Sequence, residues 1–260
     1  MALRCGLVGL PGCGKTTIFN AITASGAASC KGTDANRAIV NVPDPRLDKL
    51  AEMYVPRKVI PATLEMVDIP GLKPGSTAGE GRGNRLLGHI KDVDALVHVV
   101  RCFEDEAVPF EYATIDPRRD VDTIDLELVV ADSQTLQNKI TRLEKKAKAG
   151  DPDILKEVEI CLRVKAALDE GIPARKQGLG PAEMAAVREC NLLSLKPVLY
   201  VANLKSIAEA EGPHARTLRD LAEAEGSRVV MICGRDEAEI NELDPEDRAD
   251  FLKAIGLKES

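Results

Sequence analysis

Short apolar runs recur along the chain, each followed by a glycine- or proline-bearing turn, and one long charged stretch interrupts them near the middle. Residues 3–8 read as a mostly apolar strand broken by Arg4, and Thr17-Ile18-Phe19-Asn20-Ala21-Ile22 carries an amphipathic helix. A strand over 38–42 is stopped by Pro43-Asp44-Pro45, and 46–53 gives a short helix with Leu47, Leu50 and Ala51 on one side. Alternation through 63–67 places Leu64 and Met66 on one face of the next strand. A helix from near Arg85 carries Leu86, Leu87 and Ile90, and 94–100 is a buried strand. Strands at 197–203 and 228–233 and helices at 215–225 and 247–255 resume the rhythm. This alternation predicts an α/β fold with a mostly parallel sheet flanked by helices.

The interruption is helical. Residues 122–149 place Leu126, Ser133, Ile140 and Ala147 seven apart, with Val129, Leu136 and Leu143 as a second row. Gly150-Asp151-Pro152 is a hinge, and the return helix over 153–170 offers Ile154, Val158, Cys161, Leu162 and Leu168. A further helix starts near Pro181. The pattern predicts a helical hairpin inserted into one α/β domain: 1–121, then the insertion at 122–195, then 196–260. The basic stretch 139–148, with Lys145, Lys146 and Lys148, suits an acidic partner or RNA, and equally an ordinary solvated face.

Composition narrows this picture. Hydrophobic residues make up 44% of 260 positions but aromatics only 3%, so the core must be aliphatic. A formal charge of −7 argues against non-specific nucleic-acid binding by the bulk of the surface, and no DNA specificity is evident. No apolar run approaches a membrane span and no secretion signal opens the chain, so a cytoplasmic protein is expected. Seven isolated cysteines, without metal-ligand or disulfide spacing, fit a reducing compartment.

The chemistry sits at Gly9-Leu10-Pro11-Gly12-Cys13-Gly14-Lys15-Thr16, which has the phosphate-loop spacing between a strand and a helix. Backbone amides from Leu10 to Thr17 are expected to converge on phosphate oxygens, with Lys15 between the β- and γ-phosphates and Thr16 as a Mg²⁺ ligand. Asp68 and Gly71, in Asp68-Ile69-Pro70-Gly71, supply a second metal contact and a γ-phosphate amide; Thr33 is nominated as a third metal ligand from a first switch loop. The glycine-rich 75–84 reads as a second switch. Asn203, Leu204, Cys233 and Gly234 are expected at the base, with Cys233-Gly234-Arg235 as a closing loop. Ser206 replaces the acid that would pair with guanine N1 and N2, which favours ATP over GTP. His98, flanked by valines, reads as a core histidine, and Cys13 as a space-filling residue or a thiol open to oxidation.

These residues together resemble the Obg-like ATPases of the YchF group. The resemblance rests on Gly9 to Thr16, Val42-Pro43-Asp44-Pro45-Arg46-Leu47-Asp48, Asp68-Ile69-Pro70-Gly71-Leu72, Gly79-Glu80-Gly81 through Gly83-Asn84, and Val99-Val100-Arg101-Cys102-Phe103. Glu242-Leu243-Asp244 to Gly256-Leu257 also looks like that family. The resemblance implies a P-loop NTPase of the TRAFAC class with a helical insertion, ATP as preferred substrate, and association with ribosomes, the insertion being the part expected to meet ribosome or rRNA. Members usually carry Asn-x-x-Glu where this chain has Asn203-Leu204-Lys205-Ser206, and a Pro-Phe-Cys-Thr-Ile run where it has Cys30-Lys31-Gly32-Thr33-Asp34. They also continue into a small TGS domain, whereas this sequence stops at Ser260. Leu72 stands where Ras-like enzymes place a water-positioning Gln, so slow intrinsic hydrolysis is expected. The alternatives are a nucleotide-dependent binding module with negligible hydrolysis, and a GTPase.

Overall fold

The Val-rich strands near the middle of the chain have no face polar enough for water, and they lie at the centre of a sheet covered on both sides. The computed structural model describes residues 2–23, 35–75, 82–148 and 151–254. Its strands are β1 (Leu3–Val8), β2 (Asn36–Asn41), β3 (Thr63–Asp68), β4 (Ala95–Arg101), β5 (Val198–Asn203) and β6 (Arg228–Ile232). They form one sheet in the order β2-β3-β1-β4-β5-β6, parallel except for β2, which runs antiparallel to β3. This is the P-loop NTPase fold.

The helices are α1 (Lys15–Thr23), α2 (Pro45–Tyr54), α3 (Arg82–Lys91), α4 (Pro117–Ala147), α5 (Pro152–Asp169), α6 (Pro181–Val187), α7 (Pro213–Ala224), α8 (Gly234–Glu242) and α9 (Pro245–Ala254). On one face of the sheet Leu7, Met66, Val97 and Val201 pack with Ile18 and Phe19 of α1. On the other, Val8, Val67 and Leu96 meet Ile90 of α3 and Ile124 and Leu128 of α4. Each such buried side chain contributes roughly 1.5–3 kcal/mol. No helix among the described residues is long and apolar enough to cross a membrane.

The long helix α4 starts at Pro117, earlier than the periodicity indicates, because Asp116 caps the Arg119 amide and Pro117 is suited to the first helical position. Its first half lies on the sheet. Its second half pairs with α5 through Val129, Leu136, Ile140 and Leu143 against Cys161, Val164 and Leu168. The hairpin is therefore present, but its seam is narrower than the two heptad rows suggest: Leu126 and Leu162 are about half exposed. Acids take inward positions on α4 instead, where they bind backbone and basic groups. Lys139 also departs from the expected solvated basic face. It is buried, and its Nζ donates to the Ala186 carbonyl at 2.6 Å and lies 2.6 and 3.0 Å from Glu157 and Glu189. Lys145, Lys146 and Lys148 remain exposed.

Candidate nucleotide-binding site

All the parallel strands end on the same side, where an α/β sheet binds ligands. There the turn from β1 to α1 wraps tightly. Gly12 and Gly14 have φ of +78° and +95°, and a Cβ at Gly14 would meet Asn203 Nδ2 at 2.1 Å, so only glycine fits. The Lys15 ammonium is folded back over the turn, donating to the Leu10 carbonyl at 2.8 Å and lying 3.7 Å from Cys13 Sγ. The side chains of Leu10 and Cys13 are in the core, so what these positions offer a ligand is backbone. Pro11 rests against Gly71, whose missing Cβ leaves the room: one built there would come within 3.0 Å of the Pro11 ring. Gly14, Lys15, Thr16 and Thr17 line a cavity of about 430 Å³.

Thr16 Oγ1 donates to Asp68 Oδ2 at 2.9 Å, joining the first turn of α1 to the tip of β3. Burial pushes the Asp68 carboxyl up, opposed by the Thr16 hydrogen bond, the Lys15 charge and a bond from Asn36. The pair presents hard oxygens, and adjacent oxygens of a Mg²⁺ octahedron lie about 3 Å apart. No group of three or more His, Cys, Asp or Glu side chains among the described residues is arranged to hold a metal ion. A hydroxyl and a carboxylate so placed are a donor pair of the kind that suits Mg²⁺. Thr33 lies outside the described residues.

At the base end, Asn203 is buried and engaged on both sides. Its Nδ2 donates to the Cys13 carbonyl at 2.9 Å, and its Oδ1 accepts from the Gly234 amide at 3.0 Å. It braces the phosphate turn against the end of β6. Cys233 and Gly234 are not the closing loop expected from the sequence: Cys233 is the N-cap and Gly234 the first residue of α8. The run Gly234-Arg235-Asp236-Glu237 has acids suited to a first helical turn, which favours helix over loop. Phe103, Val108 and Leu204 give the cavity apolar walls. Ser206 is absent from its lining, and its Oγ instead accepts from the Ala208 amide at 3.3 Å. The one aspartate of the lining, Asp105, has Oδ1 held by the Ala107 amide at 2.9 Å.

Sequence reasoning left Arg101 without a role, and here it is the organising cation. It is 3% exposed and, among the described residues, donates to the main-chain carbonyls of Phe103 (3.1 Å), Asp105 (2.9 Å), Val108 (3.1 Å) and Gly12 (3.3 Å). The rings of Phe103 and Phe110 lie 4.4 and 4.8 Å from its guanidinium. One side chain so clasps the loop after β4 onto the phosphate turn. Its position at the carboxyl end of a buried strand was the available signal.

Comparison with known proteins bears on this arrangement. Residues 4–155 match the family described as "50S ribosome-binding GTPase". The ribosome-binding ATPase YchF of Haemophilus ducreyi is 41% identical over 263 residues, spanning all of this chain and 72% of that protein. The Bacillus subtilis protein of the same name is 42% identical over 267 residues, spanning all of this chain and 73% of its own. The chain belongs to the YchF family. The solved structure of the Schizosaccharomyces pombe YchF GTPase matches 99% of this chain and 72% of its own, with a TM-score of 0.80 at 29% identity. Leu72 is buried in the core with its amide on the Gly9 carbonyl at 3.2 Å, so its side chain is turned away from the cavity. The six cysteines among the described residues are free and buried. Cys13, 1% exposed, fills space beside Gly9.

Proposed function

We propose that the chain is a Mg²⁺-dependent nucleoside triphosphate hydrolase that prefers ATP and acts as a nucleotide-controlled switch at the ribosome. The observation that carries this reading is the convergence of Lys15, Thr16 and Asp68 at the glycine turn. When bound, Mg²⁺ would neutralise charge on the β- and γ-phosphate oxygens. Lys15 and the turn amides stabilise the phosphoryl oxygens as charge redistributes during in-line attack by water. Thr16 and Asp68 are the residues that would hold the metal. The Gly71 amide follows the γ-phosphate, held close to the turn by Pro11. Leu72 cannot orient water from the core, so a group elsewhere, or one from a partner, must do so, and unassisted turnover is slow.

Preference for ATP is supported by Ser206, which offers guanine no carboxylate and uses its hydroxyl as a cap. The names of the relatives, ribosome-binding ATPases, support the ribosome as partner, with the helices of 122–195 as the contacting part. Phosphate release from ATP by the purified chain in Mg²⁺ tests the enzymatic claim. Hydrolysis should be slow but measurable and fall to background in Lys15→Ala and at least about tenfold in Asp68→Asn. Equal rates in wild type and Lys15→Ala would refute it. The buried Leu72 favours a second reading, a nucleotide-dependent binding module. That reading requires tight Mg-ATP binding with no turnover above the Lys15→Ala background.

A further inference from the structure

Helix α4 carries buried acids at successive points, each holding a different piece of the molecule. Asp125 accepts from Arg175 at 2.6 and 2.7 Å and from Lys176 at 3.2 Å, gripping the chain soon after it leaves α5. Asp132 accepts from the Leu193 and Ser194 amides, both at 2.7 Å, and from Ser194 Oγ at 2.6 Å, gripping the chain just before β5. Between them Glu127, 5% exposed, reaches the other way. Its Oε1 accepts from the Gly75 amide at 2.5 Å.

Gly75 lies seven residues along the chain from Asp68. The first part of the segment between them is pinned to β1 and the glycine turn: Ile69 N donates to Leu7 O at 3.3 Å, Leu72 N to Gly9 O at 3.2 Å, and Gly71 abuts Pro11. A charge-assisted bond to a carboxylate removed from water is strong and directional. Asp125 and Asp132 fasten the stretch that follows α5 and the stretch that precedes β5 to the same helix. A displacement passed through Gly75 therefore acts on a strut already fastened to the arm formed by α4 and α5. We infer that Glu127 is a positioning residue that couples the Asp68–Gly75 segment, and with it the γ-phosphate, to the helical arm. The inference rests on the nucleotide reading above and adds to it a route by which the nucleotide is felt at the arm. The bistable element is the segment itself, whose contacts to Gly9 and Pro11 depend on what occupies the turn.

The test is amide hydrogen exchange of the whole chain, followed at α5 and the second half of α4, with Mg-ADP and with a non-hydrolysable Mg-ATP analogue. In the wild type, exchange in the arm should differ by about threefold or more between the two nucleotides. In Glu127→Ala that difference should collapse while ADP affinity stays within about twofold. Glu127→Gln, which keeps an acceptor oxygen, should retain most of it. If Glu127→Ala fails to fold, Glu127→Leu fills the space without an acceptor and serves in its place. A packing role alone would lower thermal stability in the variants yet leave the nucleotide dependence intact, and that result overturns the inference. So does a wild-type arm indifferent to nucleotide despite tight binding. Absence of any nucleotide binding by folded wild type would instead sink the functional reading, and the coupling with it.

Discussion

His98 stands in β4 with valines on either side, opposite Tyr200 of β5, its ring centroid 5.6 Å from the tyrosine's. Burial pushes its pKa down to about 4; the Asp125 carboxylate opposes the shift, and the charges of Arg175 and Lys15 add to it. An unfolded histidine titrates near 6.5, so between those values the unfolded chain holds a proton that the native chain does not. Stability should accordingly fall as pH drops through that window, by roughly 2–3 kcal/mol from this group between pH 7 and 4.5. Urea unfolding at those pH values, for wild type and His98→Phe, measures it: the variant should lose that part of the pH dependence. Identical pH dependence in both would mean that the imidazole is not held neutral. The core role was legible from the flanking valines alone. Asn203 was less so. A strand-end amide suggests a base contact, yet its bonds to Cys13 and Gly234 come from segments far apart in sequence.

Among the elements, strands and phosphate turn were readable because each is set by local chemistry: a period of two, a glycine spacing, a proline stop. The loop after β4 was not. Phe103, Asp105 and Val108 follow no period, and what orders them is a set of carbonyls turned towards Arg101. Removing the guanidinium strips these carbonyls of a shared donor and frees one wall of the cavity. Arg101→Ala should weaken ADP binding by about tenfold or more, and Arg101→Lys nearly as much, since one ammonium cannot span the same acceptors. Binding calorimetry on variants whose folding is checked by circular dichroism decides this; unchanged affinity in a folded Arg101→Ala would show the clasp to be irrelevant to the site. The heptad reading of α4 misled for a related reason. It counts apolar rows, whereas Asp125, Glu127 and Asp132 are buried for the partners they hold, and Leu126 between them is left outside. Likewise Lys139 looks solvated in sequence and is enclosed by Glu157, Glu189 and the Ala186 carbonyl.

At the scale of the whole molecule, one six-stranded sheet delivers the turn after β1, Asp68 from β3, Arg101 from β4 and Asn203 from β5 to a single edge. The helix α4 then runs from beneath that sheet into the arm. The sheet and the arm are thereby joined by one continuous helix, Pro117–Ala147. The known relatives divide by name on the nucleotide: the bacterial YchF proteins are called ATPases and the yeast structure a GTPase. In this chain Ser206 points its hydroxyl into its own turn, and Phe103 and Leu204 are apolar walls of the cavity. The decisive measurement is competition of ATP and GTP for the purified chain in Mg²⁺, with Lys15→Ala as the control. Saturable binding lost in the control, with ATP favoured over GTP, is the outcome expected from this site. No binding by correctly folded chain, or a preference for GTP above about tenfold, would contradict it.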